Sequence, residues 1–132
     1  MAKMTPVNPW TWQEKYGFHQ AVSAERVQRT VYCAGQTSVD TEGNPLHPGQ
    51  MEAQAHLSLD NLETVLQEAG MLLKNVIRLN YYVTDVPAYM AIVESVTTRL
   101  GDAGCEPACT LLGVAALFHP DVVIEIEATA IA

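Results

Sequence analysis

Two amphipathic stripes separated by a single strand limit what this chain can fold into. From Met51 to Ala69 the apolar positions Met51, Ala55, Leu59, Leu62, Leu66 and Ala69 step by four, four, three, four and three. That spacing keeps them on one side of a helix, and Gly70 ends it. From Val86 to Leu100 the positions Val86, Tyr89, Val93, Val96 and Leu100 repeat the spacing, with Pro87 in the first turn and Gly101 just past the end. Between them, Val76–Thr84 has the alternation of a strand. Upstream, Ala21–Val27 and Thr30–Ala34 read as paired strands, and Asp40–Pro45 is a turn cluster. Downstream, the Cys109–Leu117 strand and the last strand read as a hairpin turned by His119-Pro120-Asp121. The order strands, helix, strand, helix, hairpin predicts one α+β domain over residues 1–132, a single mixed sheet packed on two helices.

Two helices cover one face of such a sheet, yet the strands carry apolar residues on both sides. In Cys109–Leu117, Leu111, Ala115 and Leu117 oppose Leu112, Val114 and Phe118. With no further domain to bury the second face, further copies of the chain are the economical cover. A homo-oligomer with sites in the clefts between subunits is therefore expected.

Composition narrows the function. With 48% of its 132 residues hydrophobic, the chain has enough apolar surface for a core without disulfide or metal staples. The formal charge of −8, from 15 acidic against 7 basic residues, works against binding to RNA or DNA. The start lacks the apolar core of a signal peptide, and the run from Pro107 to Phe118 is too short to span a bilayer, so a soluble cytoplasmic protein is expected. The three cysteines read as reduced thiols, and the Cys105/Cys109 spacing is that of neither a redox pair nor half a zinc ribbon. No metal or other cofactor is expected.

The chemistry-bearing residues gather late in the chain. Glu125 and Glu127 lie two apart in an otherwise apolar strand, and so face one side together with Val123 and Thr129. Cys109 heads the preceding strand, and no basic residue follows Arg99 to clamp an anion there. Arg78, on the central strand, reads as directed to solvent or an interface. His56 falls off its helix's apolar stripe, while His47 and His119 sit in turns. Trp10, Trp12, Tyr16 and Phe18 form an aromatic N-terminal cluster that serves either packing or the wall of an apolar ligand site. Cys33 and Cys105 read as structural.

Several of these segments together resemble the Rid family, also called YjgF/RidA: Cys33-Ala-Gly-Gln36, Gln54-Ala-His-Leu-Ser-Leu-Asp-Asn-Leu62, Tyr82-Val-Thr-Asp85, Glu106-Pro-Ala-Cys-Thr110 and Val123-Ile-Glu-Ile-Glu-Ala128. The resemblance implies a chorismate-mutase-like fold, a homotrimer, and ligand clefts between subunits. It also implies hydrolysis of reactive imines or enamines, with ammonia released and no cofactor. The family's motif reads Pro-Ala-Arg-Ser, whose arginine binds the substrate carboxylate. Here Pro107-Ala108-Cys109-Thr110 stands in its place, so this is a divergent member without that guanidinium. By the same resemblance the family's tyrosine falls at Phe18 and its helix-borne asparagine at Val93. Gly35 offers its backbone to the ligand and Glu125 is the water-positioning carboxylate.

Two readings follow. In the first, the chain is a cofactor-independent hydrolase or deaminase of a small nitrogen-containing metabolite. Cys109 and Glu125 are catalytic, Phe18, Gly35 and Val93 bind ligand together with Cys109, and His19 is the nearest candidate to activate the thiol. In the second, Cys109 merely fills a pocket, and the protein is a non-catalytic trimer that binds a small metabolite.

Overall fold

The computed structural model describes all 132 residues. In chain order its elements are β1 (Lys3–Val7), β2 (Ala21–Glu25), β3 (Thr30–Gln36), α1 (Met51–Glu68), β4 (Val76–Val83), α2 (Val86–Met90), α3 (Val93–Asp102), β5 (Ala108–Gly113) and β6 (Ile124–Ile131). Four strands form a mixed sheet in the order β3-β6-β4-β5, in which β5 runs parallel to β4 while β6 is antiparallel to both β3 and β4. The mixed α+β architecture is the one the sequence implies. No helix is long and apolar enough to cross a membrane.

The stripe on α1 explains how it docks. Ala55, Leu59, Leu62 and Leu66 are fully buried, in one cluster with Leu79 and Val83 of β4 and Ile124, Ile126 and Ala128 of β6. Each such leucine contributes about 1.5–3 kcal/mol through burial, which fixes the helix on one face of the sheet. Gln54, also fully buried, ties that face to the approach to β6. Its Nε2 donates to the carbonyls of His47 (2.8 Å) and Asp121 (2.6 Å), and its Oε1 accepts from the Val123 N–H (2.9 Å).

Five expectations need correction. The last two strands are not a hairpin, because β4 lies between β5 and β6. Residues 114–123 form a connection around the end of β4, where Val114 N–H donates to the Val83 carbonyl and Thr84 N–H donates to that of Val123. The strand expected to reach Leu117 therefore stops at Gly113.

The second helix is broken. Asp85 caps α2 by accepting from Ala88 N–H (3.0 Å), but Ile92, at φ −118° and ψ 6°, leaves helical geometry before α3 begins. The apolar repeat reads across the break because Tyr89, Val96 and Leu100 are all buried in the same cluster. Nor do β2 and β3 pair with each other. Arg26 adopts φ 55°, and the N–H groups of Gln28 and Arg29 both donate to the Ala132 carbonyl, which turns β3 onto β6. β2 instead pairs with β1, a strand hidden in the sequence by its proline, so a two-stranded ribbon accompanies the main sheet in place of one continuous sheet.

The face away from the helices is bare. Paired rungs set Asn80 beside Glu127 and Thr110, and Tyr82 beside Glu125 and Leu112. Tyr32 on β3 is 81% exposed and Leu112 on β5 is 49% exposed.

Candidate functional site

The parity of β5 decides where the site chemistry goes. Cys109 and Leu111 occupy the rungs of Leu79 and Tyr81 and therefore face the helices. Beside them lies a cavity of about 180 Å³, lined by Phe18, Tyr81, Tyr89, Val93, Cys109 and Leu111 among others, with Met90 partly exposed in its wall. Phe18 is delivered by the turn at Glu14–Tyr16. Gly17 closes this turn in the left-handed region at φ 71°, where glycine carries no steric cost, and His19 N–H then docks on the Pro107 carbonyl. Tyr89 and Val93 come from either side of the break between α2 and α3. The interruption that the sequence did not disclose thus aims both side chains at one cavity.

Nothing charged lines this cavity. Burial pushes the Cys109 thiol up to about 11, and the positive charge of Arg78 pulls it down only in part. The thiol is therefore protonated at neutral pH. His19, expected as its nearest activator, is engaged elsewhere. Its Nδ1 lies 2.9 Å from Asn8 Nδ2, and its Nε2 lies 3.3 Å from Glu106 Oε2. Asn8 Oδ1 accepts from Gln20 N–H and Gln13 Nε2, which orients the amide to donate to Nδ1 and leaves Nε2–H to face Glu106. A raised thiol pKa also slows alkylation. At pH 8, iodoacetamide should label Cys109 of the native protein about a hundredfold more slowly than an unperturbed thiol, with the rate still climbing above pH 9. Cys105, pushed up to about 12, should lag further. Mass mapping of the label checks both, and rapid labelling of Cys109 at pH 7 would contradict this picture.

The other predicted residues meet on the opposite face. At Gly35, beside the irregularity between Cys33 and Gln36 on β3, an added Cβ would lie 1.9 Å from Glu125 Oε1, so only glycine leaves that carboxylate where it is. The two glutamates differ in their surroundings. Glu127 Oε1 accepts from Asn80 Nδ2 (3.0 Å) and from the Tyr82 hydroxyl (2.5 Å), which raises the Tyr82 pKa. Glu125 accepts no hydrogen bond from a side chain of its own chain, and its Oε1 lies over Gly35. Arg78 shares this face and donates to Thr110 Oγ1 (2.7 Å).

The structure thus brings Phe18, Val93 and Cys109 together, and separately Gly35 and Glu125. It does not bring the two groups together within one chain, because they lie on opposite faces with β4 between β5 and β6. Sequence reasoning missed Tyr81 and Tyr89 as cavity residues, since the one falls in the alternation of a strand and the other on the apolar stripe of a helix. Their signal was a phenol at a position where a purely apolar side chain would have sufficed. No three His, Cys, Asp or Glu side chains gather closely enough to hold a metal ion.

The fold is an α+β domain whose mixed sheet has one uncovered face and whose apolar cavity lies beside the edge strand β5. The chain is a member of the family described as Endoribonuclease L-PSP, whose model matches residues 14–132, and this is the Rid family. Among its relatives, the mitochondrial protein mmf1 of Schizosaccharomyces pombe is 30% identical over 99% of this chain and 78% of its own length. The 2-iminobutanoate/2-iminopropanoate deaminase of Mus musculus is 33% identical over 82% of this chain and 78% of its own length. Among solved structures, the Rid-family protein YyfB of Yersinia pestis, of unknown function, superposes with a TM-score of 0.88 at 30% identity, covering 99% of this chain and 98% of that one. Escherichia coli TdcF with bound serine gives 0.71 at 27% identity, covering 87% of each chain.

Proposed function

We propose that this chain is a cofactor-independent hydrolase of small, uncharged imines or enamines, acting in clefts between the subunits of a homotrimer. The observation that carries the reading is the apolar cavity around Cys109. Where the resemblance calls for a guanidinium there is a protonated thiol and no charge, so a ligand carboxylate would be desolvated there without compensation. The relatives named 2-iminobutanoate/2-iminopropanoate deaminases support the reaction class, and the missing cation shifts the substrate away from their imino acids.

Glu125 carries the chemistry in this reading. Its carboxylate, above Gly35, takes a proton from water as the water oxygen bonds to the imine carbon, and the C=N π electrons pass to nitrogen, which takes that same proton back from the Glu125 carboxyl. The carbinolamine then loses ammonia, leaving the carbonyl compound. Because Glu125 and Cys109 occupy opposite faces, the two halves of the site come from different subunits, and exposed Tyr32 and Leu112 are natural surface for the neighbour to cover.

The second reading, a trimer that binds a metabolite without turnover, is favoured by the absence of any base or cation from the cavity side. One experiment separates them. With neutral imines generated in situ, Glu125→Gln should lower kcat by about a hundredfold or more, the loss expected for a water-activating base, with little change in ligand binding. Wild-type protein inert towards the whole imine panel would leave the second reading, and a solution mass of a single chain would overturn both.

A further inference from the structure

Within the cavity beside Cys109, two phenols stand out. Tyr81 and Tyr89 are only 6% and 3% exposed, their rings pack at 5.7 Å, and neither hydroxyl has a hydrogen-bond partner in the chain. Every buried side-chain polar atom that is sealed from solvent does have a partner. Each phenol oxygen therefore keeps contact with open space, and the space that both residues line is this cavity. A phenol held so deep without a protein partner turns its donor to that space, where a ligand atom can take it.

Size supplies the second constraint. An apolar protein cavity of about 150 Å³ stays dry and takes up benzene. At about 180 Å³, walled by aromatic, aliphatic and thiol groups, this cavity is ring-sized. The wall offers aromatic edges and faces in Phe18, Tyr81 and Tyr89, against which a six-membered ring packs at ordinary stacking distances.

We infer that the cavity selects a neutral, ring-sized apolar group bearing one hydrogen-bonding atom, met by the hydroxyls of Tyr81 and Tyr89, so that the preferred substrates are aryl-substituted imines or enamines without a carboxylate. This rests on the imine-hydrolase reading for the reaction, but the binding preference stands apart from turnover.

The probes are phenol, benzene and benzoate, titrated into the purified wild-type protein by ligand-detected NMR. Phenol should bind once per chain, and benzoate at least tenfold more weakly because its charge has no partner in the cavity. Tyr89→Phe should weaken phenol about fivefold while leaving benzene unchanged, the pattern of one lost hydrogen bond. Val93→Phe, which fills the cavity, should abolish binding of both neutral probes, with its thermal melt confirming the fold. Benzoate binding as tightly as phenol, or phenol binding insensitive to both substitutions, would overturn the inference. Phenol binding as described with no imine hydrolysed would defeat the hydrolase reading alone. Hydrolysis of methyl- and phenyl-substituted imines at equal rates, with no phenol bound, would defeat this inference alone.

Discussion

Gln54→Leu should be among the most damaging single substitutions in the chain, lowering stability by about 3 kcal/mol or more and the melting temperature by roughly 10 °C. The leucine fits the space, but the carbonyls of His47 and Asp121 and the N–H of Val123 lose their partner together. A buried backbone group without a partner costs about 1–3 kcal/mol, and this side chain is the only one bonded to all three. The same change loosens the segment that leads into β6 two residues before Glu125, so any activity should fall further than the melt predicts. Gln54→Glu provides the control. Its carboxylate still accepts from Val123 N–H but offers nothing to the two carbonyls, so it should be nearly as damaging. Denaturant and thermal melts decide the matter, and a Gln54→Leu protein as stable as wild type would show that water replaces the amide.

The role of Gln54 was invisible in the sequence for the same reason as much of the site. The helical stripe reports which residues meet the sheet, and it placed Ala55, Leu59, Leu62 and Leu66 correctly because burial follows the periodicity. Periodicity carries no information about partners far along the chain. Gln54 bonds across 67 and 69 residues. Likewise, alternation put Glu125 and Glu127 on one side of β6, which the structure bears out, but it could not say that β4 slips between β5 and β6. That insertion is what separates Cys109 from Glu125. Two strands joined by a turn-like His-Pro-Asp segment look like a hairpin locally, and only the parallel pairing of β5 with β4 shows otherwise. The break at Ile92 escaped for a related reason. The buried positions of α2 and α3 keep a helical spacing, while the change in backbone direction that turns Tyr89 and Val93 into one cavity leaves no trace in that spacing.

Cys109→Arg should change which ligands the protein accepts more than any other single substitution. The guanidinium would enter an apolar cavity in which its own chain supplies no carboxylate to meet it, at a stability cost of about 2–4 kcal/mol in the absence of ligand. Part of that cost is relieved if the charged head reaches past Met90, which is 40% exposed, towards water. A carboxylate ligand relieves the rest through a bidentate pair. Benzoate, its carboxylate paired with the guanidinium at the mouth of the cavity and its ring outside, should therefore bind the variant at least tenfold more tightly than wild type and raise its melting temperature, while phenol is lost because the side chain occupies the ring's place inside. Cys109→Met separates charge from volume, since it should also exclude phenol yet gain nothing for benzoate. If both halves of the cleft belong to one active site, the arginine variant should in addition hydrolyse 2-iminopropanoate, on which wild type should be inert, and Glu125→Gln in that background should remove the gained activity. Benzoate affinity unchanged by the arginine would mean that residue 109 does not face the ligand, and it would remove the basis for assigning this chain an uncharged substrate.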